Sequence, residues 1–342
     1  MKILVFGAGV IGVAYAWQLS LAGHDVALLV RPGRKQELER KGIAISCLDN
    51  RGGLLFLGGG KRHTNAVYHP VLVEAFSPAD KYELILVCVR RNQLGDVLPG
   101  LAEKAGDATI RFLQNNWSGT AEIEHFLAPS HYLLGFPSVA GARDERGVQC
   151  ALEAGTRLGE VDGQITPRLR RIAAVMREAG FKPKLSRQII PWLQTHYAGV
   201  AAAVGCLYKA GSFQALAQSS SLLREMFLAL RESLEVCRAR GINPMSIPEN
   251  RLDYLPLFLL VPVTKRLFRS EEARLGLEGH AGHAADEMQF IYHEVLAEGE
   301  RLGVKMPHLR GFQEYVEKDV FTVNASRMKE ELPRGTHVVT PH

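Results

Sequence analysis

The chain opens Met1-Lys2-Ile3-Leu4-Val5-Phe6-Gly7-Ala8-Gly9-Val10-Ile11-Gly12, and this stretch decides the reading of the fold. A short apolar run leads directly into Gly-x-Gly-x-x-Gly, and residues 13 to 22 have helical character up to Gly23. Strand, glycine-rich loop and helix in that order form the dinucleotide-binding turn in the context it requires. Gly7 allows the tight turn, Gly9 lets backbone approach a pyrophosphate, and Gly12 lets the helix pack close to the strand. The N–H groups of Gly7, Ala8, Gly9, Val10, Ile11 and Gly12 then surround a helix start, where an anion is favoured. The competing reading is a glycine-rich turn in an α/β domain that binds nothing.

Outward from this turn, the next landmark is the end of the second strand. Residues 25 to 30 form an apolar run suited to a parallel sheet. Where an NAD enzyme places a carboxylate for the ribose hydroxyls, Arg31 follows, then Pro32, Gly33, Arg34 and Lys35. A guanidinium pairs with a 2′-phosphate that a carboxylate would repel, so the residues favour NADP(H) over NAD(H). The alternative is a solvated basic loop.

Residues 43 to 73 look like short strands separated by glycine-rich turns, among them Gly58-Gly59-Gly60. Residues 83 to 89 form a core strand followed by Arg90, Arg91 and Asn92. Residues 109 to 113 form the next, followed by Gln114, Asn115 and Asn116. The carboxyl edge of an open α/β sheet is where ligands bind, so these polar groups are placed to face a nicotinamide and its substrate. Capping of a following helix is the other role open to Arg90 and Asn115; for Asn115 the site is favoured, and for Arg90 the choice stays open. Further strands fall at 133 to 136 and within 149 to 158. A helix spans 167 to 180, with Pro at its start and Gly at its end. Residues 181 to 185 then close the first unit.

After about residue 189 the pattern changes to long helices, at 192 to 207, 222 to 240 and 286 to 302, and no strand pattern recurs. The expected architecture is α/β: an N-terminal Rossmann-type dinucleotide-binding domain (residues 1–187), an all-helical C-terminal domain for substrate and dimerisation (188–330), and a tail (331–342). The active site is expected in the cleft between the two domains.

Bulk composition excludes several classes. Apolar residues make up 46% and charged residues 23%, as in ordinary soluble domains. The net charge of +5 is mild and no Lys/Arg block argues for nucleic acid. The five cysteines are odd in number with no C-x-x-C pair, which argues against a disulfide framework and a zinc site and for a reducing cytoplasm. No targeting segment is expected before the first strand. The apolar stretch at 255 to 263 is broken by Pro256 and Pro262 and is far short of the ~20 residues a membrane span needs. It reads as a buried segment or a subunit contact, consistent with a homodimer through the helical domain.

With these motifs placed, the chain resembles the ketopantoate reductase (2-dehydropantoate 2-reductase, PanE/ApbA-type) family over nearly its whole length. The resemblance rests on the opening motif, Arg31, Leu113-Gln114-Asn115, Ala179-Gly180-Phe181, Trp192, Glu287, Gly303-Val304 and Pro307. It implies reduction of a small 2-oxo acid by NADPH, with Gly7, Gly9, Gly12, Arg31 and Asn115 as cofactor residues. Arg90 stands where the family usually has Lys, and Glu287 matches the glutamate that contacts the substrate hydroxyl.

One helix departs from the family pattern Trp-x-Lys-x-x-x-Asn. This chain reads Trp192-Leu193-Gln194-Thr195-His196-Tyr197-Ala198, then Ala202 one turn on. Positions 194, 198 and 202 share a helix face, which here carries an amide and two methyls. Leu275 and Gly279 stand at the polar positions of the family's Ser-Met-x-x-Asp segment. Hydride attack on a ketone leaves an alkoxide; a lysine stabilises it and donates the proton, whereas Gln194 can only donate a hydrogen bond. His196, Tyr197, His280, His283 and Asp286 are alternative acids, each with a plain surface or structural reading, and the spacing of the two histidines does not make a metal site. Two functions follow. The first is an NADPH-dependent oxidoreductase on a small carbonyl, with Arg90, Gln194 and Glu287 as catalytic residues and Asn115 beside them. The second is a catalytically silent NADP(H)-binding sensor or regulator.

Overall fold

The computed structural model describes residues 1–52, 62–153, 155–269 and 285–318. In the first part of the chain the elements are β1 (Lys2–Phe6), α1 (Val10–Leu21), β2 (Asp25–Leu29), α2 (Lys35–Lys41), β3 (Ile43–Asp49), β4 (Arg62–Tyr68), β5 (Val71–Val73) and β6 (Leu84–Val87). They continue with α3 (Leu94–Lys104), β7 (Thr109–Phe112), α4 (Ala121–Glu124), β8 (Tyr132–Phe136), β9 (Val139–Asp144), β10 (Gly147–Leu152), β11 (Arg157–Gly159), α5 (Pro167–Glu178) and β12 (Lys184–Leu185). The helical part consists of α6 (Ile189–Ala210), α7 (Phe213–Gln218), α8 (Ser220–Ala239), α9 (Leu257–Leu267), α10 (Ala285–Arg301), α11 (Pro307–Arg310) and α12 (Gln313–Glu317). The architecture is an N-terminal, largely parallel Rossmann-like sheet followed by a helical region.

The main sheet has the order β12-β11-β8-β7-β6-β1-β2-β5. β1 lies between β2 and β6, parallel to both, with Val5 opposite Leu28 on one side and Leu86 on the other. The chain therefore leaves β1 in one direction and returns on its other side, which makes the carboxyl edge at β1 and β6 a topological switch point. β11 departs from the parallel pattern by running antiparallel to β8.

The strands expected at 43 to 73 do not all join that sheet. β5 does, beside β2, but β3 and β4 form a second, four-stranded sheet with β10 and β9 in the order β4-β3-β10-β9. The reason lies in α1. Every residue from Gly12 to Gln18, and Leu19 after it, is buried, so the helix is apolar on all sides and one sheet cannot cover it. Its Val13, Tyr15, Trp17 and Leu19 share a single core with Ile3 and Val5 of β1, and with Ile45, Cys47, Val148 and Cys150 of the second sheet. The sequence pattern announces both strand sets but not their division between two sheets. The run Gly58-Gly59-Gly60 lies outside the described residues.

The helical part closes on its own core. Tyr197, Ala198, Ala201 and Ala202 of α6 pack with Phe227 and Val236 of α8 and with Ile291, Tyr292 and Val295 of α10. α6 runs to Ala210 and ends on Gly211, whose φ of 71° supplies the left-handed cap. The apolar stretch at 255 to 263 is not a buried segment. It folds into α9, which starts after Pro256 and continues through Pro262 to Leu267, with Phe258, Leu259 and Val263 74%, 49% and 52% exposed. No helix among the described residues is long and apolar enough to cross a membrane. The five cysteines are free thiols.

Substitution of the loop glycines separates packing from ligand access. A Cβ on Gly12 would sit 1.8 Å from the Gly7 carbonyl oxygen, whereas one on Gly9 would meet nothing within 4 Å. Gly12→Ala is therefore expected to destabilise the protein by about 1–3 kcal/mol or more, as overpacking against backbone does, and Gly9→Ala to leave stability unchanged. Urea unfolding of the two variants checks this contrast.

Candidate active site

The glycine-rich loop joins β1 to α1 at the switch point. Gly7 has a φ of 109°, and a side chain there would press on the Cys88 carbonyl at 3.2 Å. Gly9 is the N-cap of α1, with extended backbone and no side-chain cap, and the first turn of the helix carries no acidic residue. The first-turn amides are thus neither capped by a side chain nor screened by a carboxylate, the condition for anion binding at a helix start. Ala8, Val10 and Ile11 complete the loop around them.

Arg31 follows β2 and is exposed. Its loop is held from a distance: Glu74, just after β5, accepts the Gly33 and Lys35 N–H groups at 2.8 and 3.3 Å. Sequence reasoning missed Glu74, and no local signal marks a residue that acts forty positions away. Arg34 turns toward Glu37 at 3.7 Å, a pairing between two exposed groups.

At the end of β6, Arg90 reaches across to the helical part. Its Nη1 lies 3.0 and 3.2 Å from the two carboxylate oxygens of Asp286 at the start of α10. With the two side chains 43% and 57% exposed, this pair contributes at most about 1 kcal/mol, and its effect is mainly orientation. Arg91 makes an ion pair with Glu122 at 2.8 Å and donates to Ser118 Oγ at 3.1 Å.

The end of β7 brings together two residues named from the sequence. Glu287, 8% exposed, accepts from Asn115 Nδ2 at 3.5 Å and from the Arg91 backbone N–H at 3.4 Å. Both distances are at the outer edge of hydrogen bonding, so the carboxylate is placed but not saturated. Asn115 Oδ1 and Gln114 Nε2 are buried with no partner. Buried polar atoms are nearly always paired, with protein or with ordered water, so these two have hydrogen-bonding capacity left for a water or a ligand. Asn115 does not cap a helix, as α4 begins only at Ala121 with Thr120 as its N-cap.

Gln194 has a different neighbourhood. It is 7% exposed, and its Nε2 donates to the Trp117 carbonyl at 2.9 Å. Arg240, after α8, donates to the same carbonyl at 2.9 Å and lies 4.1 Å over the Trp117 ring. Tyr197 stacks on the other side of that indole at 5.5 Å. Ala198 and Ala202 are fully buried within the helical core. This face of α6 therefore clamps the 115–119 loop instead of presenting free polar groups to a cleft. No local pattern marks Trp117 or Arg240, because the clamp joins three elements far apart in the chain.

The other candidate acids are engaged as well. His196 stacks on Trp192 with ring centroids 5.1 Å apart and meets Phe136 at 4.2 Å. The Tyr197 hydroxyl donates to Glu294; burial, reinforced by that carboxylate, pushes the phenol far above its ordinary range. His280, His283, Leu275 and Gly279 lie outside the described residues. Among the described residues, no group of three His, Cys, Asp or Glu side chains is placed to hold a metal ion.

A glycine-rich turn at a sheet switch point, with a carboxylate and orphaned amides at the facing strand end, defines a dehydrogenase-type dinucleotide fold. Residues 3–163 match the sequence model described as ketopantoate reductase PanE/ApbA. A 2-dehydropantoate 2-reductase of Archaeoglobus fulgidus is 26% identical over 190 residues, which is 55% of this chain and 57% of the relative. The chain thus spans little more than half the length of that curated relative. Among solved structures, D-mandelate dehydrogenase with NADH and anilino(oxo)acetate superposes with a TM-score of 0.70 at 18% identity, covering 95% of this chain and 99% of the other. A putative ketopantoate reductase from Ralstonia solanacearum MolK2 gives 0.69 at 17% identity, covering 94% and 98%. At these identities the superpositions establish a shared fold that runs through the helical part as well.

If the Gln194 carboxamide acts as a clamp, Gln194→Ala should lower the stability of the ligand-free protein by about 1–3 kcal/mol, the range for a lost buried hydrogen bond. Chemical unfolding checks this, and unchanged stability would move its role from the clamp to the cleft.

Proposed function

We propose that the chain is an NADPH-dependent oxidoreductase of the ketopantoate reductase type that reduces a small 2-oxo acid or related carbonyl to the hydroxy compound. The observation that carries this reading is the pair of orphaned atoms, Asn115 Oδ1 and Gln114 Nε2, at the end of a strand two places along the sheet from the glycine-rich turn. The residues present fit a nicotinamide dinucleotide. The space beside Gly9 is open, the first-turn amides of α1 have no side-chain cap, and Arg31 brings a cation to the end of β2 with no carboxylate paired to it among the described residues. A bound NADPH supplies the hydride. Everything else falls to the side chains.

The α1 amides hold the pyrophosphate and Arg31 pairs with the 2′-phosphate. Asn115 orients the reacting end through its free carbonyl oxygen. Glu287 holds the hydroxyl of the hydroxy acid and is itself aimed by Asn115 and the Arg91 N–H. Arg90 fixes the approach of α10 through Asp286, which brings Glu287 to the strand ends. Its guanidinium also adds positive potential for an anionic substrate.

A specific observation also favours the second reading, a catalytically silent NADP(H) binder. Gln194 spends its donor on Trp117, and Ala198 and Ala202 are sealed in the core, so α6 delivers no proton donor to the site. Steady-state oxidation of NADPH against a panel of aliphatic and aromatic 2-oxo acids separates the two. Turnover of any member above the no-protein control supports the enzyme, and NADPH binding without turnover supports the silent binder. In either case NADPH should bind more tightly than NADH, and Arg31→Ala should narrow the gap by about 1–3 kcal/mol, the worth of a charge-assisted hydrogen bond. Titration calorimetry showing equal affinities in the native protein would remove the NADP(H) assignment.

For a macromolecular partner, the reading is a second copy of the chain packed on the outward face of α9. Phe258, Leu259 and Val263 lie within one helix and are exposed, and exposed apolar clusters mark association surfaces. Phe258→Asp is expected to shift sedimentation from dimer to monomer while leaving NADPH affinity unchanged.

A further inference from the structure

The second sheet sends one charged side chain into the glycine-rich loop. Arg143, on β9, donates through Nη1 to the carbonyl of Ala8, the residue between Gly7 and Gly9. β9 packs against α1, so the position of this guanidinium is set by the same packing that holds the helix start. Arg143 is half-buried and has no ion-pair partner among the described residues. Of its five N–H donors, only the bond to Ala8 is made within the described protein. Burial and, after it, the nearby charge of Arg34 hold the Arg143 guanidinium below its usual range, with the Glu37 carboxylate acting in the opposite direction.

A partly desolvated cation is unfavourable unless a counter-charge meets it. A single backbone carbonyl is not such a charge. The nearest described feature that calls for an anion is the uncapped start of α1.

We propose that Arg143 is a phosphate-contacting residue of the dinucleotide site. It is anchored on the Ala8 carbonyl and turns its remaining N–H groups to the pyrophosphate at the start of α1. This rests on the reading of the chain as a dinucleotide binder and adds a residue from outside the main sheet to that site. The pyrophosphate is common to NADPH and NADH, so Arg143 supplies affinity to both, whereas Arg31 discriminates between them.

The test is fluorescence titration of NADPH and NADH with the full chain, native and with Arg143→Met, Arg143→Gln and Arg143→Lys, each checked for folding by its ligand-free thermal midpoint. The Met and Gln variants are expected to lose about 10- to 100-fold in affinity for both nucleotides, the equivalent of one or two charge-assisted bonds. The NADPH-to-NADH ratio should stay within about twofold of native, and Lys should recover part of the loss because it keeps the charge. Unchanged affinity in the Met variant would overturn the proposal. So would a loss confined to NADPH, which would make Arg143 a 2′-phosphate residue, or equal losses in the Lys, Gln and Met variants, which would make it a loop tether. Should the Met variant not fold, the Gln and Lys pair carries the same expectations. A native chain that binds neither nucleotide defeats the dinucleotide reading itself, an outcome distinct from native binding that the variants leave untouched.

Discussion

The absence of a side chain at Gly12 is the constraint on which the rest of the structure depends. The first turn of α1 lies so close to the Gly7 carbonyl that a Cβ would be 1.8 Å from its oxygen. This contact draws the helix onto β1 and directs its N-terminal amides out over the carboxyl edge of the sheet. The helix is then buried along its length, from Gly12 to Leu19, and needs cover on the side away from β1. The second sheet provides that cover, and Arg143 arrives at the loop with it. The loop, the buried helix and the second sheet are one packing solution, and the contact of Arg143 with Ala8 follows from it.

The junction between the two parts of the chain depends on a different kind of contact. The Trp117 carbonyl takes two donors, Gln194 Nε2 and Arg240 Nη1, each at 2.9 Å, while its ring lies between Arg240 and Tyr197. These groups are desolvated, so each bond is worth more than the exposed Arg90–Asp286 pair nearby. Arg240 is held in turn by Glu298 of α10 at 3.3 Å. The same helix carries Asp286 and Glu287 at its other end. Placement of Glu287 against Asn115 thus follows from a buried clamp at one end of α10 and a solvent-exposed ion pair at the other. The clamp supplies rigidity and the ion pair supplies register.

This arrangement bears on the chemistry. In the family pattern the face of α6 at position 194 carries an ammonium. Here an amide occupies the position and is consumed by the clamp. The amide ties α6 to the 115–119 loop through a structural hydrogen bond and has no proton to release near neutral pH. The remaining polar groups at the strand ends are Asn115, whose carbonyl oxygen has no partner among the described residues, and Glu287 with two long contacts.

Much of this was legible in the sequence, for local reasons. The turn at 7–12, the strands that flank it, the change to long helices near residue 189 and the polar groups after β6 and β7 all follow from short-range pattern: periodicity, glycine placement and strand-end position. Asn115 and Glu287 were each named through resemblance, one for the cofactor and one for the substrate, and only the fold shows that the two meet. What the sequence could not decide were matters of distance across the chain. Nothing local separates β3 and β4 from the main sheet, because an alternating strand reads alike in either. Nothing local marks Glu74 as the anchor of the loop at 33–35, or Trp117 and Arg240 as a clamp. Residue 194 could be read as facing a cleft because helix periodicity gives a direction around an axis, whereas only packing tells what lies in that direction. Arg143 illustrates the same limit: in sequence it is one arginine in a charged turn, and only the stacking of β9 on α1 puts its guanidinium on the carbonyl of Ala8.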